Sequence, residues 1–207
     1  MKKFIYNKKA MVTLAFLAGL FYNAWLLGFW LNPTVVKSQL LSSLGALDQP
    51  YHEIFIATDI VSGLLILILA FCLWKRPTTD SFLVKWSRIL LPVALIGFAL
   101  TTILAAIFAQ PQAGKTDLSN PLEFAHDMLS VLALGCMMIA ILLGLVLFRN
   151  GFFCLLAALY FISLVFSSYE GLFPHTVGPT GQWFNSLLVG LWLVITTWKL
   201  LKAHEQS

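Results

Sequence analysis

Six stretches of this chain are apolar for long enough to cross a lipid bilayer as helices, and nothing else in the sequence limits its fold so strongly. A spanning α-helix needs about 20 predominantly apolar residues, because each adds about 1.5 Å and the hydrocarbon core is about 30 Å thick. The stretches run over residues 10–31, 54–74, 89–108, 128–148, 152–168 and 184–201, the fifth being the shortest. Composition agrees. The chain has 207 residues, of which 59% are hydrophobic and 11% charged. Soluble domains are about 45–50% apolar and about 25% charged. A chain this poor in charge has too little polar surface to stay dissolved, so lipid is its natural solvent. The expected fold is all-α: a polytopic transmembrane bundle of about six helices forming one domain over residues 1–207. No length is left for an attached soluble domain.

The first stretch is too long and too aromatic for a cleaved signal peptide, whose apolar region is usually about 7–15 residues. It holds Phe21, Tyr22, Trp25, Phe29 and Trp30 and has no small-residue cleavage site, so it reads as a retained signal anchor. Arg149, Asn150 and Gly151 leave a very short turn, which predicts an antiparallel hairpin of spans four and five. Trp30, Trp74, Trp86, Trp183 and Trp198 lie near span ends, as interfacial anchors do.

Basic residues in short loops mark the cytoplasmic side. Of the thirteen, Lys37 and Lys115 fall on one side and the other eleven on the side of the two termini. Both termini are therefore expected in the cytoplasm, with the protein in the cell membrane. The net charge of +4 is accounted for by this placement. No basic face with interleaved aromatics exists of the kind a nucleic acid needs, and nucleic acid is excluded as a partner. Membrane lipids are the expected partners, with protein partners and oligomeric state left open. Cys72, Cys136 and Cys154 all fall in apolar runs without metal or redox spacing, and read as buried free thiols.

The three outer segments, at about 32–53, 109–127 and 169–183, are long, and the inner connections are short. Long loops are where function concentrates. Asp48, Glu53, Asp59, Asp117, Glu123, Asp127 and Glu170 are on or near the outer side, with His52, His126 and His175. Asp59 is the most informative. A carboxylate inside a span costs roughly 2.5–3.5 kcal/mol at the helix centre and less near the edge, and normally faces the bundle with a partner. Asp59, Ser62 and Gly63 share a helix face at spacings of three and four. Asp59 reads either as a site carboxylate or as half of a helix–helix hydrogen bond.

His126 and Asp127 open span four, with Ser130 on the same face as His126. An interfacial histidine beside a carboxylate suits a general base or a metal ligand. An acid at a helix N-terminus also answers the helix dipole. Pro121 and Glu123 look like helix-start chemistry. Glu170 and His175 flank a loop rich in glycine and proline, a structured turn in which His175 reads as a fold-back ligand or as a solvated loop histidine. Residues 42–53, apolar between polar positions, suggest a short amphipathic segment at the interface. Asp48 then helps turn the chain into span two. The candidate set is Asp59, His126 and Asp127 for catalysis, Asp48, Glu170, Ser62 and Ser130 for ligand binding, and His126 with His175 for a divalent metal such as zinc. Asn23, Thr101, Thr102, Ser163, Ser167, Asn185 and Ser186 read as ordinary interhelical packing.

The chain has no P-loop, no His-Glu-x-x-His and no Gly-x-Ser-x-Gly. No basic residue sits in mid-span, which argues against voltage sensing. No span looks broken by Gly or Pro at its middle, which argues against a secondary transporter.

Ser43-Leu44-Gly45-Ala46-Leu47-Asp48-Gln49-Pro50-Tyr51, followed by Phe55, Asp59 and Gly63, resembles the pattern of a bacterial multi-pass family called domain of unknown function 998. Trp25 to Gly28, Asn32-Pro33 and His126 also fit, so the resemblance covers about Leu14 to Leu200. Here Leu44-Gly45 replaces the usual acid near the second serine. The resemblance implies about six spanning helices and brings no activity with it. Three functions follow as expectations. The first is a non-catalytic sensor, scaffold or lipid-binding factor. The second is an intramembrane metal-assisted hydrolase or lipid-modifying enzyme using Asp59, His126 and His175, and the third a small transporter.

Overall fold

The computed structural model describes residues 7–74, 81–114, 119–172 and 179–204, and contains helices with no strand among them. In chain order the helices are α1 (Lys8–Tyr22), α2 (Gly28–Leu31), α3 (Pro33–Ser38), α4 (His52–Trp74), α5 (Phe82–Ile107), α6 (Pro121–Phe148), α7 (Gly151–Leu172) and α8 (Thr180–His204). Single 3-10 turns lie at Ala24–Leu27 and Leu41–Gly45. Five of the helices are long and apolar enough to cross a membrane, and α1 with Ala24–Leu31 makes a sixth span bent by 45°.

The expected spans all have helical counterparts, but several helices are longer than their apolar stretches. α5 starts at Phe82 rather than 89, and α6 at Pro121 rather than 128. Hydropathy reports where lipid ends, whereas backbone hydrogen bonding continues until a cap stops it. For α6 that cap is Asn120, whose side chain accepts from the Leu122 N–H at 3.0 Å, with Pro121 at the first helical position. The longer helix puts His126 and Asp127 in its second turn instead of its first. The longer α5 also places Pro92 inside the helix.

The main correction concerns span one, which is broken near its middle. Asn23 causes the break. Its Nδ2 donates to the Gly19 carbonyl at 2.8 Å and to the Ser186 carbonyl of α8 at 3.1 Å. Its Oδ1 accepts from Trp25 Nε1 at 3.1 Å. A side chain that takes up the carbonyl of the preceding turn offers the backbone an alternative to continuing the helix.

The spans pack as a ring in chain order: α1 against α4, α4 against α5, α5 against α6, α6 against α7, α7 against α8, and α8 back against α1. The α5–α6 interface is the largest and the α6–α7 interface is slight. The predicted hairpin is present, with α6 ending at Phe148 and α7 beginning at Gly151. Trp192 of α8 fills the centre, where it meets Gly144 of α6. Gly19 and Gly190 let α1 and α8 nearly touch, since a Cβ on Gly19 would lie 3.0 Å from the Gly190 Cα.

At the end carrying the long connections, residues 33–45 fold back over the bundle. Their apolar side chains turn inward instead of lying along a lipid surface. Leu44 is 1% exposed and joins Trp25, Val35, Val36 and Phe55 in a small core of its own. The Leu41 N–H donates to Gln182 Oε1 of α8 and ties this cap to the last span.

Candidate functional site

Beneath the cap lies a cavity of about 200 Å³ whose walls come from α1 and the turn after it, from α4 to α8, and from the cap. It exists because span one bends away at Asn23, between the lining residues Tyr22 and Trp25, and because small residues face it from α5. Ala105 and Ala106, with Ala109 just past the end of that helix, leave the room there. Trp25 is held firmly, stacked on Trp183 at 5.8 Å with 9° between the rings.

Three of the sequence candidates line this one cavity: Asp59, His126 and Ser130. Asp59 stands about two turns into α4. It is partly buried and makes no hydrogen bond or ion pair with a described residue. Tyr22 is within electrostatic reach of it. His126 is 7% exposed, and its Nδ1 lies 2.9 Å from the Ala105 carbonyl oxygen. A carbonyl only accepts, so Nδ1 carries the proton. In the neutral ring Nε2 then keeps a lone pair. Nε2 is buried and has no hydrogen-bond partner among the described residues. An orphaned polar atom of this kind costs about 1–3 kcal/mol and calls for an explanation.

The other candidates serve elsewhere. Ser62 is buried and donates to the Ala18 carbonyl at 2.9 Å, joining α4 to α1. Asp127 accepts from Gln110 Nε2 at 3.2 Å. Asp48 accepts from the Ala113 N–H at 2.9 Å and so joins the first and second long connections. Glu170, 3% exposed, accepts from the Gly181 N–H at 2.5 Å and the Gln182 N–H at 3.1 Å. Its carboxylate therefore caps α8, where orphan donors and the positive end of the helix dipole await it. His175 lies outside the described residues.

Among the described residues no group of three or more His, Cys, Asp or Glu gathers to hold a metal. Asp59 and His126 alone fall short of the three protein ligands usual for a catalytic zinc.

Sequence reasoning passed over several wall residues. Tyr22, Thr58, Thr102, Ser167, Gln182 and Asn185 all line the cavity. Ser167 and Asn185 had the look of packing residues, and in part they are, since Asn185 Nδ2 donates to Ser163 Oγ at 3.4 Å.

The architecture and the cavity define a class: a multi-pass helical membrane protein with a capped chamber at one end of its ring. Within that class the chain belongs to the family described as protein of unknown function (DUF998), whose model matches residues 16–200. No match was found among curated proteins or among solved structures.

Proposed function

We propose that this protein is a non-catalytic binding protein of the cell membrane that takes a small amphiphile, or the polar head of a lipid, into the capped cavity. The observation that carries this reading is that Asp59 and the orphaned Nε2 of His126 line one cavity whose wall is otherwise largely apolar. A mostly apolar concavity with a few convergent polar groups is the usual form of a small-molecule site. The hydrolase reading has less support. It calls for a bound metal, and among the described residues no three His, Cys, Asp or Glu gather to hold one.

Ser130→Phe should plug the chamber from α6. With the protein purified in mild detergent, native mass spectrometry is expected to show retained lipid on the wild type and at least a severalfold loss on the variant. Equal retention at matched thermal stability would overturn the reading.

The chamber belongs, in this proposal, to the non-cytoplasmic side. The support is the placement of all but two of the basic residues on the side of the termini. A phosphatase fusion after His204 is expected to be inactive and a fluorescent-protein fusion bright. The reverse pattern would move the chamber to the cytoplasm.

A further inference from the structure

We propose that the group received by the cavity is an organic ammonium, held by the Asp59 carboxylate against an aromatic wall of Tyr22, Trp25 and Phe55. This rests on the binding reading above and names its ligand class.

Charge is the first argument. None of the described residues lining the cavity is lysine or arginine, and Asp59 is the acid among them. A phosphate or carboxylate would meet no lysine or arginine of the described lining and would face the Asp59 carboxylate, a like charge that repels it. Hydrogen-bond polarity is the second. The Asp59 oxygens and the His126 Nε2 lone pair meet no described donor, and both accept. They complement a donor or a cation, and do not complement another acceptor.

The third argument is the wall itself. Tyr22, Trp25 and Phe55 all contribute to it. Aromatic faces attract cations through the ring quadrupole, tryptophan most strongly, and an aromatic cage is the recurrent solution for alkylated ammonium groups. The Trp25 ring is preset by its stacking on Trp183 and by the bond from its Nε1 to Asn23, so little order need be lost on binding. Size is the fourth. Cavities of about 150 Å³ admit benzene. One of about 200 Å³ therefore admits an ammonium headgroup, with any acyl chain left outside.

The ammonium can belong to a lipid headgroup or to a free amine, and one experiment separates the sources. The protein is placed in nanodiscs made only of phosphatidylglycerol and titrated with choline, with its neutral isostere 3,3-dimethylbutanol, and with sodium chloride as the salt control. Binding is read by tryptophan fluorescence and by thermal shift. Choline is expected to bind, and the isostere to bind at least about tenfold more weakly, as befits loss of a charge-assisted contact. Asp59→Asn is expected to remove that preference. Trp25→Leu is the second variant, should Asp59→Asn fail to fold, and is also expected to weaken choline and not the alcohol. Adding phosphatidylethanolamine to the discs identifies a lipid source if it competes with choline, and a free amine if it does not.

Equal binding of choline and the alcohol, unchanged in both variants, would overturn the ammonium assignment while leaving the binding reading standing. No binding of either, together with lipid retention unaffected by Ser130→Phe, would remove both.

Discussion

Gly190→Leu is expected to keep the ring from closing. A bare Cβ on Gly190 would already lie 2.8 Å from Asn23 Nδ2 and 3.5 Å from the Gly19 Cα. A leucine adds three more carbons with no space to enter. In water, burial of apolar surface would offset part of the strain. In lipid it does not, since acyl chains are as apolar as leucine, and helix association rests on close packing and interhelical hydrogen bonds. Both are lost here. Overpacking costs about 1–3 kcal/mol. The two hydrogen bonds donated by Asn23 add roughly 0.6 kcal/mol each. The sum predicts a fall in Tm on the order of 10 °C, or loss of the monodisperse peak in fluorescence-detected size exclusion. Gly190→Ala should show a fraction of the effect, because only the Asn23 amide has to move. A Gly190→Leu protein as stable as the wild type would mean that α1 and α8 do not meet at these glycines.

Glu170→Gln is expected to loosen α8 and to abolish ligand binding at a distance. The native carboxylate accepts from two backbone N–H groups with its two oxygens. A glutamine has one oxygen, and its amide would confront the second N–H with another donor. Hydrogen bonds to a charged group are worth about 1.5–3 kcal/mol each, and the lost charge also forfeits its attraction to the helix dipole. Gly181 makes the same junction fragile from the other side. A Cβ there would lie 2.5 Å from the Ser167 backbone nitrogen, so Gly181→Val should behave alike. Gln182, Asn185 and Ser186 line the cavity from the first turns of α8. Fraying those turns dismantles the wall although Glu170 itself does not face it. Hydrogen exchange should rise sharply over residues 180–186 and little over α4 and α5. Uniform exchange across all helices, or unchanged exchange, would count against the capping role.

These two junctions also show how much was legible in the amino-acid order. The spans were, because a run of apolar residues states its own reason for being in lipid. Asp59 and His126 were, because ionisable groups in an apolar setting are expensive and stand out. The break at Asn23 was not. Asn23 shares its amide between the Gly19 carbonyl and the Ser186 carbonyl, which lies 163 positions further along the chain, and no local pattern announces that second meeting. Glu170 looked like a ligand residue for a related reason: its true partners are backbone N–H groups, which every residue but proline carries. Polar residues inside spans are mostly packing, so Ser167 and Asn185 could be set apart only once α7 and α8 were known to bring them to one depth.

The order of helices around the ring bears on how the protein is made. Each span from α4 on packs against the one synthesised just before it, so pairs can form as they leave the translocon. The seam between α1 and α8 cannot form until α8 has been synthesised. Until then the amide of Asn23 has no carbonyl across the seam, and the chamber stands open on that side. A chain stalled after α7 would therefore offer quality-control proteases a half-built vessel, recognisable by the same asparagine that bends its first helix.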